Sequence, residues 1–241
     1  MQRNLFHYDV LDSTMKEFER LSGIECNCYK LVRADRQSQG LGRGTNQWYS
    51  SLGGLWFTFD LAYPELVDSF ALYIGTCLHR SLVRLFDGLK PKLKIKWPND
   101  LFYDDRKLAG ILCKHSEESG YVIGIGINTN NTIDDSTLAA NTASLGQIIG
   151  APVSNDELMQ IFIKDIEENI SMVRYPQSYL EYCNERLYGL GRRATVSMFE
   201  NKNSGIIRGL DNTGAVLLET ADGLIQGYNA GGLAVEPRES N

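Results

Sequence analysis

Long apolar runs are missing from this sequence. No stretch approaches the roughly 18 uninterrupted apolar residues that a membrane-spanning helix needs. The start, MQRNLFHYDVLDST, holds no apolar run of signal-peptide length. No membrane partner is expected, and a cytoplasmic location is the expectation. Basic charge is also in deficit: 24 Lys and Arg face 30 Asp and Glu, a formal net charge of -6. Neutralising nucleic-acid phosphates needs the opposite balance, so no nucleic-acid partner is expected. A local basic pocket is compatible with an acidic surface. Cysteine is sparse, with only Cys26, Cys28, Cys77, Cys113 and Cys183. A C-x-C without a second pair lacks zinc-site spacing, so these read as reduced, mostly structural thiols. Metal ligands are left unassigned. Internal repeats and low-complexity tracts are absent too.

What remains is a chain of 241 residues with 43% hydrophobic content, enough for one main core and a small satellite domain. Asp12, Ser13 and Thr14 precede MKEFERL as helix-start residues. Tyr29 to Ala34 reads as a strand, and Asp35 to Ser51 as a long polar, Gly-rich loop. Gly54 to Leu61 alternates as a half-buried strand, with Leu55, Phe57, Phe59 and Leu61 on one face. Val67 to Phe86 is helical, with Phe70, Ile74, Cys77, Leu78 and Leu82 at core spacing. Lys92 to Trp97 alternates again, and Pro98 marks an edge or a bulge. Asp104-Asp105-Arg106 turns a hairpin between Leu101–Tyr103 and Leu108–Lys114. Tyr121 to Asn128 is a strand whose Gly124 and Gly126 stand where side chains would intrude. Asp156 to Val173 and Tyr179 to Leu187 are helices. Beyond Gly191 short strands alternate with Gly-rich turns, as in a small barrel. The expected fold class is α+β: a mixed sheet with helices on one side over residues 1–190, and a small C-terminal β-barrel over residues 191–241.

Two segments carry chemistry. The first is Arg36-Gln37-Ser38-Gln39-Gly40-Leu41-Gly42-Arg43-Gly44-Thr45. Its glycines let backbone approach a ligand, and freed N–H groups can hold anions. No G-K-[ST] follows, so it is not a Walker loop, and a strand follows where a dinucleotide fingerprint needs a helix. By composition alone a plain surface loop is the favoured reading. The second is Lys96-Trp97-Pro98-Asn99-Asp100 with Arg106-Lys107-Leu108-Ala109-Gly110. A hairpin would bring Lys96, Asn99, Asp100 and Lys107 to one cleft; a solvated hairpin with surface lysines stays open beside it.

Both segments resemble the signature stretches of biotin protein ligases, in family order and spacing. Asp12-Ser13-Thr14 upstream and Gly124-Ile125-Gly126-Ile127-Asn128 downstream extend the resemblance over nearly the whole chain. It implies the class II aminoacyl-tRNA-synthetase-like catalytic fold of that family, followed by a Src-homology-3-like barrel. It implies an ATP-dependent ligase that makes biotinyl-5'-adenylate from biotin and ATP, then passes biotin to one lysine of a biotin carboxyl carrier protein. Mg²⁺ would accompany ATP.

Residue by residue, the resemblance gives Ser13, Thr14 and Gln37 to the ureido ring of biotin, with Met15 beside them. Gly40, Leu41 and Gly42 match the loop that closes over biotin. Arg43 and Lys107 match the catalytic cations, Lys107 because attack at the α-phosphate concentrates negative charge. Gly110 lies against the ligand. Lys96, Asn99, Asp100 and Asn128 match the nucleotide side. Leu41 stands where many members carry a basic residue, and Met15 where Asn often follows Ser-Thr. The loop Asp35–Ser51 is expected to be mobile without ligand and ordered with it. With Ser-Thr at residues 13 and 14, the DNA-binding module of some relatives is not expected. Members that dimerise through the sheet edge leave a homodimer open. A lipoate or octanoyl ligase of the same fold and a non-catalytic biotin-binding module are the alternatives.

Overall fold

The computed structural model describes residues 3–21, 29–117 and 120–237. Cys26 and Cys28 lie outside them. Strand β1 (Arg3–Leu11) leads into helix α1 (Thr14–Arg20), and the chain returns as β2 (Tyr29–Leu41). β1 and β2 pair in parallel, from Arg3 beside Tyr29 to Leu11 beside Gln37. β3 (Gln47–Ser50) and β4 (Leu55–Leu61) both pair antiparallel with β2. Helix α2 (Phe70–Leu85) follows, then the strands β5 (Leu93–Lys96), β6 (Asp100–Tyr103), β7 (Arg106–Ser116) and β8 (Gly120–Ile127). The sheet order is β1-β2-β4-β8-β7-β6-β5, with β3 attached to β2. Short helices α3 (Ser136–Ala140) and α4 (Leu145–Ile149) precede α5 (Asn155–Glu168) and α6 (Pro176–Glu185).

A second, all-antiparallel sheet closes the chain: β9 (Arg193–Met198), β10 (Asn201–Leu210), β11 (Val216–Glu219), β12 (Ile225–Tyr228) and β13 (Gly232–Val235), in the order β12-β11-β10-β9-β13. Trp97, buried, joins the two sheets by donating from Nε1 to the Gly214 carbonyl at 2.9 Å.

Register decides which side chains share a face. Leu31, Phe59 and Ile123 lie in one cross-strand row, and Phe57, Ile125 and Ile111 in the next. These belong to the main core, with Ile74 and Leu78 of α2 and Phe162 and Ile166 of α5. The opposite face carries Val32, against which Phe18 and Leu21 form a second, smaller core under α1. β4 is therefore buried on both faces, not half-buried: Trp56 and Thr58 are as inaccessible as Phe57 and Phe59.

Three further expectations change. The stretch Asp35–Ser51 is mostly strand: β2 runs on to Leu41 and β3 covers Gln47–Ser50, leaving residues 42–46 as the turn. Its backbone is held because β2 has β1 on one side and β3 on the other, which polar composition does not reveal. The helix expected over Asp156–Val173 ends at Glu168, and a 3-10 turn takes Ile170–Arg174. Pro98 falls in the β5–β6 turn, after a cis peptide bond, and not within a strand.

Candidate active site

The α1-covered face of the main sheet has a row of pairs Trp56, Gly126, Gly110 and Asp100 across β4, β8, β7 and β6. The adjoining row holds Thr58, Gly124 and Leu112. Three glycines thus make a floor without side chains. Packing demands them: a Cβ on Gly110 would stand 2.7 Å from Trp48 Cζ3, and one on Gly126 2.7 Å from Trp48 Cε2. A Cβ on Gly124 would stand 2.8 Å from Met15 Sδ. Above this floor lies a cavity of about 400 Å³, a size suited to a small-molecule ligand.

One end of the cavity is neutral and polar. Gln37 Oε1 accepts from the Thr14 amide at 2.8 Å and the Thr14 hydroxyl at 3.1 Å, and Gln37 Nε2 donates to Ser50 Oγ at 2.7 Å. Thr58 Oγ1 donates to Thr14 Oγ1 at 2.9 Å. Ser13 stands at the N-cap of α1 with extended backbone, but its hydroxyl makes no capping bond. Ser13 is fully buried, and its Oγ has no hydrogen-bond partner.

The other end is charged. Lys107 Nζ lies 2.9 Å from Asp100 Oδ2 and 4.8 Å from the centre of the Trp48 ring. Lys96 sits over the Phe102 ring at 4.8 Å. Burial pushes the Lys96 ammonium below its ordinary value, with Asp100 opposing. Arg43 donates to Asn99 Oδ1 at 3.0 Å and to the Gly231 carbonyl. Asp100 Oδ1 and Trp48 Nε1 are buried without partners. Buried polar atoms are normally bonded. Three that are not, Ser13 Oγ, Asp100 Oδ1 and Trp48 Nε1, gather on this cavity, and a polar ligand fits there.

The sequence-predicted residues converge here. Ser13, Thr14, Met15, Gln37, Leu41, Gly42, Arg43, Lys96, Asn99, Asp100, Lys107 and Gly110 all line the cavity. Gly40 and Asn128 do not. Gly40 is packed between β2 and β3, where a Cβ would meet the Trp48 carbonyl at 2.5 Å. Asn128 is buried, its backbone N–H donating to the Leu108 carbonyl, its Nδ2 to the Lys107 carbonyl, and its Oδ1 accepting from Asn131. Residue reading missed Trp48, Ser50 and Thr58. It also missed Ser197, Gly232, Leu233 and Ala234, which bring the second sheet to the cavity wall. The signals available were the paired glycines Gly124 and Gly126, which imply a bulky partner above them.

A cavity polar at one end and cationic at the other suits a ligand with a neutral head and an anionic tail. The model of the Biotin/lipoate A/B protein ligase family matches residues 8–130, and that of the Biotin protein ligase C terminal domain matches residues 189–232. The chain belongs to the biotin/lipoate A/B protein ligase family. It is 27% identical over 246 residues to the Bifunctional ligase/repressor BirA of Bacillus subtilis (strain 168), covering 95% of this chain and 74% of that protein. It is 28% identical over 218 residues to the BirA of Escherichia coli (strain K12), covering 86% of this chain and 66% of that one. The biotin protein ligase from Aquifex aeolicus in complex with biotin and ATP superposes with a TM-score of 0.82 at 26% identity, over 97% of this chain and 98% of that one.

Proposed function

We propose that the chain is an ATP-dependent biotin–protein ligase. The observation that carries this is the two-ended cavity: Ser13, Thr14 and Gln37 at its neutral end, Arg43, Lys96 and Lys107 at its cationic end. The ureido ring needs both donors and acceptors, which hydroxyls and an amide supply. Ser13 Oγ, buried without a partner, is free to bond it. Biotin's tail then runs past Met15 and the Trp48 ring, which pack on the floor glycines Gly124, Gly126 and Gly110, towards Lys107.

In the first step the biotin carboxylate attacks the α-phosphate of ATP, pyrophosphate leaves, and biotinyl-5'-adenylate forms. Little covalent help is needed; positioning and neutralisation of charge on the phosphate oxygens carry the step. Lys107 and Arg43 supply that neutralisation, with Lys96 and Asn99 on the nucleotide side. Leu41 brings no charge, so Arg43 has no cationic neighbour on its own turn to share the work. In the second step the neutral amine of an acceptor lysine attacks the acyl carbon, an amide forms and AMP leaves. Asp100, the one carboxylate on the cavity wall among the described residues, faces this chemistry. Mg²⁺ fits the same end: its ligands would be mainly ATP phosphates, with Asp100 Oδ1 as the protein oxygen still without a partner. When bound, the ion supplies further neutralisation of phosphate charge.

The acceptor is the biotin carboxyl carrier domain of a biotin-dependent carboxylase. We place the division between catalytic and C-terminal domains at residues 190 and 191. We assign the protein to the cytoplasm, where such carriers work; among the described residues no helix is long and apolar enough to cross a membrane. A homodimer through the exposed edge at β1 stays within this reading.

The test is mass spectrometry of a carrier domain incubated with the protein, ATP and Mg²⁺, with biotin or lipoate in parallel. A biotin-sized mass gain that Lys107→Ala abolishes is the expected result. Gain from lipoate alone would move the chain to the lipoate branch of the family. Normal biotin binding with no transfer to any carrier would reduce it to a binding module.

A further inference from the structure

The hairpin joining β9 to β10 has two local costs at one residue. Met198 pairs with Asn201, so Phe199 and Glu200 are the central residues of a two-residue turn. Phe199 has φ of 53°, in the region that favours glycine. It is also 98% exposed, the most exposed of the large hydrophobic residues among the described ones. Nothing in the fold of the second sheet uses that ring. Turn chemistry calls for Gly, Asn or Asp, and solvation for a polar side chain.

Position supplies a reason. Ser197, two residues before Phe199, lines the active-site cavity together with Gly232, its partner on β13. β13 begins at Gly232, so the tip of the β9–β10 hairpin runs on past the end of its neighbour. Gly231, at that same point, accepts the bond from Arg43. Two residues of strand span about 7 Å. The tip therefore stands beside the mouth of the cavity, next to the arginine that closes one wall.

The second substrate must come through this mouth. A lysine on a folded carrier reaches the adenylate only if the carrier's surface lies against the rim. Biotin and ATP, being small, need no such surface. We infer that Phe199 is a docking residue for the carrier domain, its ring taking an apolar patch beside the acceptor lysine. This inference rests on the ligase reading above. An exposed aromatic ring buried on association is the residue type that dominates interface energetics. The cost of its left-handed backbone is tolerated because it fixes the ring's direction at the rim.

The experiment separates the two half-reactions. Phe199→Asp is compared with the unaltered protein in three assays: biotin-dependent ATP–pyrophosphate exchange, biotin transfer to hydroxylamine as a small acceptor, and transfer to a purified biotin carboxyl carrier domain. The expected result is unchanged exchange and unchanged hydroxylamine transfer, within twofold, with at least a tenfold rise in KM for the carrier. Phe199→Gly, which relieves the backbone, is expected to keep or raise the melting temperature and still weaken carrier transfer. An unchanged carrier KM in both variants overturns the inference. Loss of exchange in parallel with carrier transfer also overturns it, because the ring would then serve the pocket. No exchange in the unaltered protein would overturn the ligase reading, and this inference with it.

Discussion

Lys107 and Asp100 form an ion pair of 2.9 Å across β7 and β6, and the same ammonium lies over the Trp48 ring, 4.8 Å from its centre. The pair leaves one carboxylate oxygen, Asp100 Oδ1, buried and without a partner. Lys107 is therefore held in place before any ligand arrives, and its charge does not have to be organised during the reaction. Lys107→Ala is expected to lower the rate of adenylate formation by about 10²–10³-fold, the usual cost of removing one positioned donor from a developing oxyanion. Single-turnover pyrophosphate release measures it. A fall of less than threefold would remove Lys107 from the catalytic role.

Trp48 and the floor glycines define the second prediction. Gly126→Ala sets a Cβ 2.7 Å from the indole, and the rigid ring cannot bend away. Overpacking of this kind costs about 1–3 kcal/mol, readable as a lower unfolding midpoint. Displacing Trp48 also fills the cavity, so biotin affinity is expected to fall at least tenfold by calorimetry. Normal affinity in Gly126→Ala would mean that the ligand does not cross this floor.

Arg43 ties the 42–46 turn to Asn99 on one side and to Gly231 of the second sheet on the other. Arg43→Ala removes both bonds but buries no new group. Global stability is expected to change by less than about 1 kcal/mol, as for substitutions outside the core. Cleavage by chymotrypsin between Leu41 and Tyr49 should become several-fold faster. Equal cleavage rates would show that the turn is held by its strands alone.

Much of this arrangement was legible in the sequence, and the exceptions share one cause. Alternation located β4 and β5, the glycine-bearing run Tyr121 to Asn128 located β8, and the Asp104-Asp105 turn appears with both residues at positive φ. Turn residues also located the five strands of the C-terminal sheet. Twelve of the fourteen residues assigned by resemblance line one cavity. What could not be read depends on contacts between distant strands. Asp35 to Leu41 and Gln47 to Ser50 are strand because β1 and β3 flank β2, and their polar residues carry no period that says so. Trp48 belongs to the site only through its position over Gly110 and Gly126, which are far from it in sequence. Ser197 and Ala234 reach the cavity because the second sheet docks on the first through a shared core and through the bonds of Trp97 and Arg43.

The last prediction concerns pH and a histidine outside the cavity. His79 on α2 is 1% exposed, with Nε2 donating to the Leu93 carbonyl at 3.1 Å and Nδ1 accepting from Tyr182 at 2.8 Å. Both bonds suit the neutral ring, and burial lowers its pKa from 6.5 to about 4. The unfolded chain binds a proton at this residue between those two values while the folded chain does not. Stability from this group is thus complete above pH 6.5 and is lost as pH falls through 4. The loss is on the order of 3 kcal/mol. β5 carries Lys96 to the cavity from the strand that His79 holds at Leu93, so the site should loosen with it. Urea unfolding at pH 7 and pH 5 is the measurement. His79→Gln, which keeps a donor for Leu93 but does not titrate, should flatten the difference between the two. If the variant shows the same pH dependence as the unaltered protein, the acid sensitivity belongs to other groups.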